Sequence, residues 1–129
     1  MAQGFDSNSV IKLVDPSADI KTAVEARCVQ DAYRSLHIDP KAPMDDIRVQ
    51  SQFGYTKDQC IQKALADDIW NKQVAPALED AVNRGQQSIK FDYSKVKVDN
   101  IGQNITNELV RRNYVNESRS WTRDILVNF

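Results

Sequence analysis

The chain is poor in the residues from which the commonest reactive sites are built: it holds one histidine, two cysteines and four glycines in 129 residues. Structural zinc takes about four Cys or His ligands in closely spaced pairs, so one His and two separated Cys exclude that framework. Cys28 and Cys60 fall in stretches that read as helix, where Cys behaves as a small buried hydrophobe, and no disulfide is expected. A nucleophile needs a base within hydrogen-bond reach, and the sole histidine is His37. Cys28 lies on an expected buried face and Cys60 has only Lys57 and Lys63 nearby to favour a thiolate, so no Cys-His dyad is expected.

Other chemistry is equally thin. No Gly-Lys-Ser/Thr sequence or glycine-rich strand-to-helix turn offers a nucleotide cradle. The carboxylate pairs Asp67-Asp68 and Glu79-Asp80 are adjacent on helices, where neighbours diverge by about 100° and cannot face one substrate. Asp39, Asp45 and Asp46 read as solvated loop carboxylates rather than ligands of an ion. No catalytic, cofactor-binding or metal-ligating residue is assigned, and a non-enzymatic protein without cofactor is expected.

Long hydrophobic runs are missing too. No stretch approaches the roughly 20 apolar residues that span a bilayer, and residues 1–7 lack the charged start and apolar core of a secretion signal. Cytoplasmic residence without membrane association is the resulting expectation. The net charge of −1 gives no bulk reason for a nucleic-acid partner. Its distribution is uneven: residues 1–83 carry nine Lys/Arg against thirteen Asp/Glu, whereas 84–129 carry eight against five. That polarity favours contact with a copy of the chain or with another protein.

Hydrophobic patterning predicts the fold. Residues 10–14 read as an edge strand or extended arm, and Asp15-Pro16 as the cap and first position of a helix. Ile20, Val24, Cys28, Ala32 and Leu36 then step by four along one face. Residues 37–55, with Pro40, Pro43 and Gly54, read as a long connection with one short turn at 44–48. Thr56 with Gln59 matches a capping box opening a second helix, which Pro76 is expected to kink or to divide into two abutting helices near Gln73, and Gly85 to end.

Ile89, Phe91 and Tyr93 alternate as one face of a strand that Val96 and Val98 extend. A third helix carries Ile101, Ile105 and Leu109 and ends at Arg111-Arg112. The terminal segment reads as a β-hairpin turning at Ser118-Arg119-Ser120, with Trp121, Ile125, Val127 and Phe129 on its inward face. The expected class is α+β: about three amphipathic helices packed on a small, mainly antiparallel sheet. The default is one domain over 1–129, divisible at the long connection into a helical lobe, 1–55, and a helix-strand-helix-hairpin module, 56–129.

The Asn113-Tyr114-Val115 stretch after a short amphipathic helix, followed by Trp121-Thr122-Arg123-Asp124-Ile125-Leu126-Val127-Asn128-Phe129, resembles small bacteriophage-encoded accessory or structural proteins. The resemblance covers about half the chain, concerns organisation, and transfers no site residue. It implies a component that self-assembles or binds a host or virion protein, in the host cytoplasm or the virion. Candidate interaction residues are Trp70, Arg111, Arg112 and Arg119. A second expectation is a small-ligand or nucleotide pocket between the long connection and the sheet, contacted by His37, Arg48 and Tyr55. A third, less favoured, is single-stranded nucleic acid on the basic C-terminal sheet, where Lys90, Lys95, Lys97, Arg111, Arg112, Arg119 and Arg123 are interleaved with Phe91, Tyr93, Tyr114 and Trp121.

Overall fold

The computed structural model describes residues 8–129; the reading of residues 1–7 as free of a secretion signal lies outside them. The element order is β1 (Asn8–Lys12), α1 (Ala18–Ser35), α2 (Ile47–Ile69), a π-helical segment (Trp70–Val74), α3 (Ala75–Asn83), β2 (Ser88–Asp92), α4 (Ile101–Arg111), β3 (Val115–Arg119) and β4 (Asp124–Asn128). This is the expected α+β class. The chain divides into two compact units, one formed by Pro16–Leu65 and the other by the residues up to Asp15 together with Ala66–Phe129. No described helix is long and apolar enough to cross a membrane.

The larger unit is built on a four-stranded mixed sheet of order β1-β2-β4-β3. β1 runs parallel to β2, whereas β2–β4 and β3–β4 are antiparallel. Register sets the faces. Ile89 pairs with Val127 and Phe91 with Ile125, and all four are buried. α3 lies against β2, and α4 against β3 and β4. α4 buries Ile101, Ile105 and Leu109, the row spaced by four. On the opposite sheet face Val10, Lys90, Leu126 and Glu117 align in one cross-strand row.

Several local expectations are corrected. The terminal hairpin turns at 120–123 rather than at Ser118-Arg119-Ser120, because Arg119 and Asp124 form its last ladder pair, with Arg123 closing the turn at φ 55°. Trp121 therefore sits in the turn, 82% exposed, and not on the inward face. Phe129 is also exposed, at 44%. Val96 and Val98 are buried in a turn-containing loop and do not extend β2.

In the smaller unit Ser17, not Asp15, caps α1, its hydroxyl accepting from the Ile20 N–H at 3.3 Å. The Asp15 carboxylate instead accepts from the Lys97 N–H, within the larger unit. α2 begins nine residues before Thr56. The Asp46 carboxylate accepts from the Arg48 N–H at 2.8 Å and its carbonyl from the Gln50 N–H, so Asp46 opens the helix and Thr56 and Gln59 lie inside it. Gly54 is accommodated in the helix interior.

The helical run does not stop at Pro76. Over Trp70–Val74 hydrogen bonding lengthens to the π pattern, the Ala75 N–H donating to the Trp70 carbonyl, and Pro76, which has no N–H to donate, follows in the first turn of α3. Three helices end alike. His37, Gly85 and Asn113 each adopt positive φ after α1, α3 and α4, and the next residue's N–H reaches back across the last turn: Ile38 to Tyr33, Gln86 to Ala81, Tyr114 to Leu109. Gly85 ends its helix as expected.

The cysteine reading is overturned. Cys28 of α1 and Cys60 of α2 form a disulfide, with Cα atoms 5.6 Å apart. Two cysteines 32 residues apart carry no pairing signal in sequence; the antiparallel return of the chain supplies it. Beside it Tyr33 of α1 packs on Phe53 of α2 with ring centroids 4.7 Å apart, and the Lys57 ammonium lies over Phe53.

Candidate interaction groove

Two of the expected interaction residues meet on the larger unit. Trp70 is buried, so it is no free-standing anchor, and the Arg112 guanidinium lies over its ring, 5.3 Å from the centroid. Around this pair runs a groove of about 310 Å3 whose walls include Trp70, Leu78, Val82, Arg112 and Tyr114. The π-helical segment and α3 supply one wall, and the C-terminal end of α4 the other. Val82 is 49% exposed. At the rim Tyr114 packs edge-on against Phe129, centroids 6.1 Å apart.

Glu108 organises the basic pair. It accepts two hydrogen bonds from Arg111, each 2.7 Å, and lies 3.4 Å from Arg112. The Arg111 hydrogen bonds, helped by both guanidinium charges, hold its carboxyl below the ordinary glutamate range against a smaller penalty from burial. Arg111 is thereby committed to its own helix, while the Arg112 guanidinium lies over the indole.

Arg119 is tied down elsewhere. It forms a forked pair with Asp124 at 2.9 and 3.1 Å across the base of the hairpin. Burial works against the Asp124 charge, but hydrogen bonds from Arg119 and Thr122, with the charges of Arg119 and Lys90, prevail and lower its pKa. Arg119 also lines a shallow cavity of about 330 Å3 on the open sheet face with Val10, Lys90, Glu117 and Leu126. Phe91 and Tyr93, which a nucleic-acid surface would present, are buried, and the Arg123 guanidinium covers the Tyr93 ring.

The expected loop-pocket residues occupy separate elements of the smaller unit. His37 is the exposed, left-handed residue after α1, Arg48 lies in the first turn of α2 beside Asp46 at 3.6 Å, and Tyr55 is 68% exposed along α2. The long connection that was to shape their pocket is helix from Ile47 onward, and the cavities of the larger unit are lined by other residues. Among the described residues no cluster of three or more His, Cys, Asp or Glu is arranged to hold a metal ion.

Sequence reasoning missed Val82, Tyr114 and Phe129 as groove and rim residues. Val82 follows the buried Leu78 and Ala81 near the end of α3, where that helix opens to solvent. Comparison with protein families, curated proteins and solved structures yields no match.

Proposed function

We propose that the chain is a non-enzymatic interaction or structural protein, of the kind small phage-encoded components provide, and that its larger unit engages a protein through the Trp70–Arg112 groove. The observation that carries this reading is the indole-guanidinium pair in a concave apolar wall with exposed Val82 at its edge. Aromatic and arginine side chains in such pockets carry a large share of binding energy at protein interfaces. The groove lining contains neither histidine nor cysteine. The Cys28–Cys60 disulfide supports a setting outside the reducing cytosol, where such bonds persist; of the two settings expected from sequence it favours the particle over the host cytoplasm.

Light scattering over a range of concentrations, with affinity capture in parallel, tests the proposal. A complex with itself or with a defined partner is expected, and Val82→Glu should weaken it by about tenfold or more by placing a charge in the apolar contact. Lys95→Ala, exposed and outside the groove, should leave it unchanged. A strict monomer that recovers no partner would count against the reading.

A further inference from the structure

The sheet of the larger unit has two edge strands, β1 and β3, because its order is β1-β2-β4-β3. An edge strand shows a row of unpaired N–H and C=O groups to any strand able to align with it, and proteins commonly guard it with proline, a bulge, a covering element or charge. β3 carries neither proline nor bulge: its residues Val115–Arg119 pair with β4 in unbroken register. Among the described residues no strand lies on its other side.

Charge is the guard left to this edge, and β3 has one residue of each sign, Glu117 and Arg119. They stand two positions apart, so both point to the open face of the sheet, beside Leu126 and Asp124 of β4. Two copies of β3 that pair antiparallel about a two-fold axis are centred on one residue, and charge selects which. Centring on Glu117 sets carboxylate against carboxylate, and centring on Arg119 sets guanidinium against guanidinium. Asn116 at the centre leaves Glu117 facing Val115 and Arg119 facing Asn113. With Ser118 at the centre, Glu117 faces Arg119 of the second copy and Arg119 faces the second copy's Glu117, so two opposite-charge pairs form on one face.

The side chains are prepared for that register. Arg119 gives two hydrogen bonds to Asp124, at 2.9 and 3.1 Å, which fix the guanidinium and leave its other N–H groups to donate. No ion pair engages the exposed Glu117 among the described residues. Val115, 68% exposed, comes opposite the position of the exposed turn residue Trp121 in the second copy, which gives the seam an apolar margin at each end. β1 offers no such match, because Lys12 is its one charge.

We infer that β3 joins a second copy of this chain, antiparallel and centred on Ser118, to make one sheet continuous across both copies. The seam is distinct from the Trp70–Arg112 groove, and neither reading depends on the other. A strand of five residues makes a short seam, so the dimer is weak and depends on concentration.

Cross-linking through single introduced thiols tests the register, since among the described residues no native cysteine is free. At its centre the two Ser118 residues oppose each other with Cα atoms about 4.5 to 5.5 Å apart, within the span of a disulfide. Ser118→Cys should dimerise under mild oxidation about tenfold faster than Lys95→Cys, an exposed position outside β3, each rate being divided by that of the same thiol with a small disulfide reagent. Adding Glu117→Lys, which sets like charges across the seam, should remove most of that advantage, and amide spectra of the variant report that its fold is kept. Adding Val82→Glu, in the groove, should leave the advantage intact. Equal normalised rates at Ser118 and Lys95 would overturn the inference and leave the edge to a strand of another protein. So would an advantage that survives Glu117→Lys, or one lost with Val82→Glu, which would put the contact in the groove.

Discussion

The two units hold their helices by different means. In Pro16–Leu65 the buried apolar side chains are Pro16, Val24, Cys28, Ala32 and Leu65, a short row for so many helical residues, and a covalent bond joins its two helices. The larger unit is closed by noncovalent packing: Phe91, Ile125, Val127, Ile101, Ile105 and Leu109 are almost wholly buried between sheet and helices. Small units with few buried side chains need a staple because conformational entropy rises with every ordered residue while burial does not keep pace. A denser core dispenses with one.

The sharpest test of this contrast lies in the central strand. Phe91→Ala should cost about 4 kcal/mol, since a fully buried phenyl is lost and the rigid surroundings close the cavity only in part. Urea unfolding followed by circular dichroism measures it, and a cost below about 1 kcal/mol would mean that the sheet core is not the main support.

Cutting the staple comes next. The bond closes a loop of 32 residues, so Cys60→Ser or reduction should destabilise by roughly 3 to 4 kcal/mol. Hydrogen exchange read by mass spectrometry should show protection falling most in α1 and the first half of α2, and least in β2 and β4. Equal loss everywhere would break the comparison and make the chain one cooperative structure.

Electrostatics should distinguish the units less strongly. Arg119→Ala leaves Asp124, 7% exposed, without its forked partner and should cost about 2 kcal/mol. Asp92, Glu108 and Asp124 all have lowered folded-state pKa values: Ser94 hydrogen bonds act on Asp92 and Arg111 on Glu108, while Arg119 and Thr122 overcome the burial penalty at Asp124. Their stabilisation is complete above the ordinary carboxylate range and disappears as pH falls through the lowered values, below about pH 4. Unfolding midpoints measured across that window should fall for the parent chain and fall less steeply for Arg119→Ala.

The smallest effect is a gain. Gly54 lies inside α2, and a Cβ built there meets nothing within 4 Å, so Gly54→Ala should stabilise by about 1 kcal/mol. The same change at Gly102, where the added carbon would strike the Tyr93 hydroxyl, should destabilise instead. Thermal unfolding of the two variants checks both signs, and a loss at Gly54 would show that the helix needs its flexibility.

Periodicity made much of the larger unit legible. Ile101, Ile105 and Leu109 name the buried stripe of α4 because a helix returns to the same face about every four residues, and Ile89 and Phe91 share a face because strand side chains alternate. Gly85 marked the end of α3 because only a residue tolerant of positive φ ends a helix cheaply in that way. His37 and Asn113 perform the same service unannounced. Punctuation misled elsewhere: Pro43 and Gly54 argued for a loop through the segment that Asp46 opens as α2. Of the candidate groove, Trp70 and Arg112 were legible as residues able to anchor a partner, but not as a stacked pair.

Local rules are written residue by residue, so the sequence by itself determined the apolar faces, the α+β class, the terminal hairpin and the poverty of reactive groups. Tertiary structure alone decided which faces meet. It joined Cys28 to Cys60, laid Arg112 over Trp70, turned Trp121 outward through the Arg119–Asp124 register, and brought the Tyr93 hydroxyl against Gly102. Each of these depends on residues far apart in the chain or on a ladder register, and side-chain spacing within one element carries no information about either.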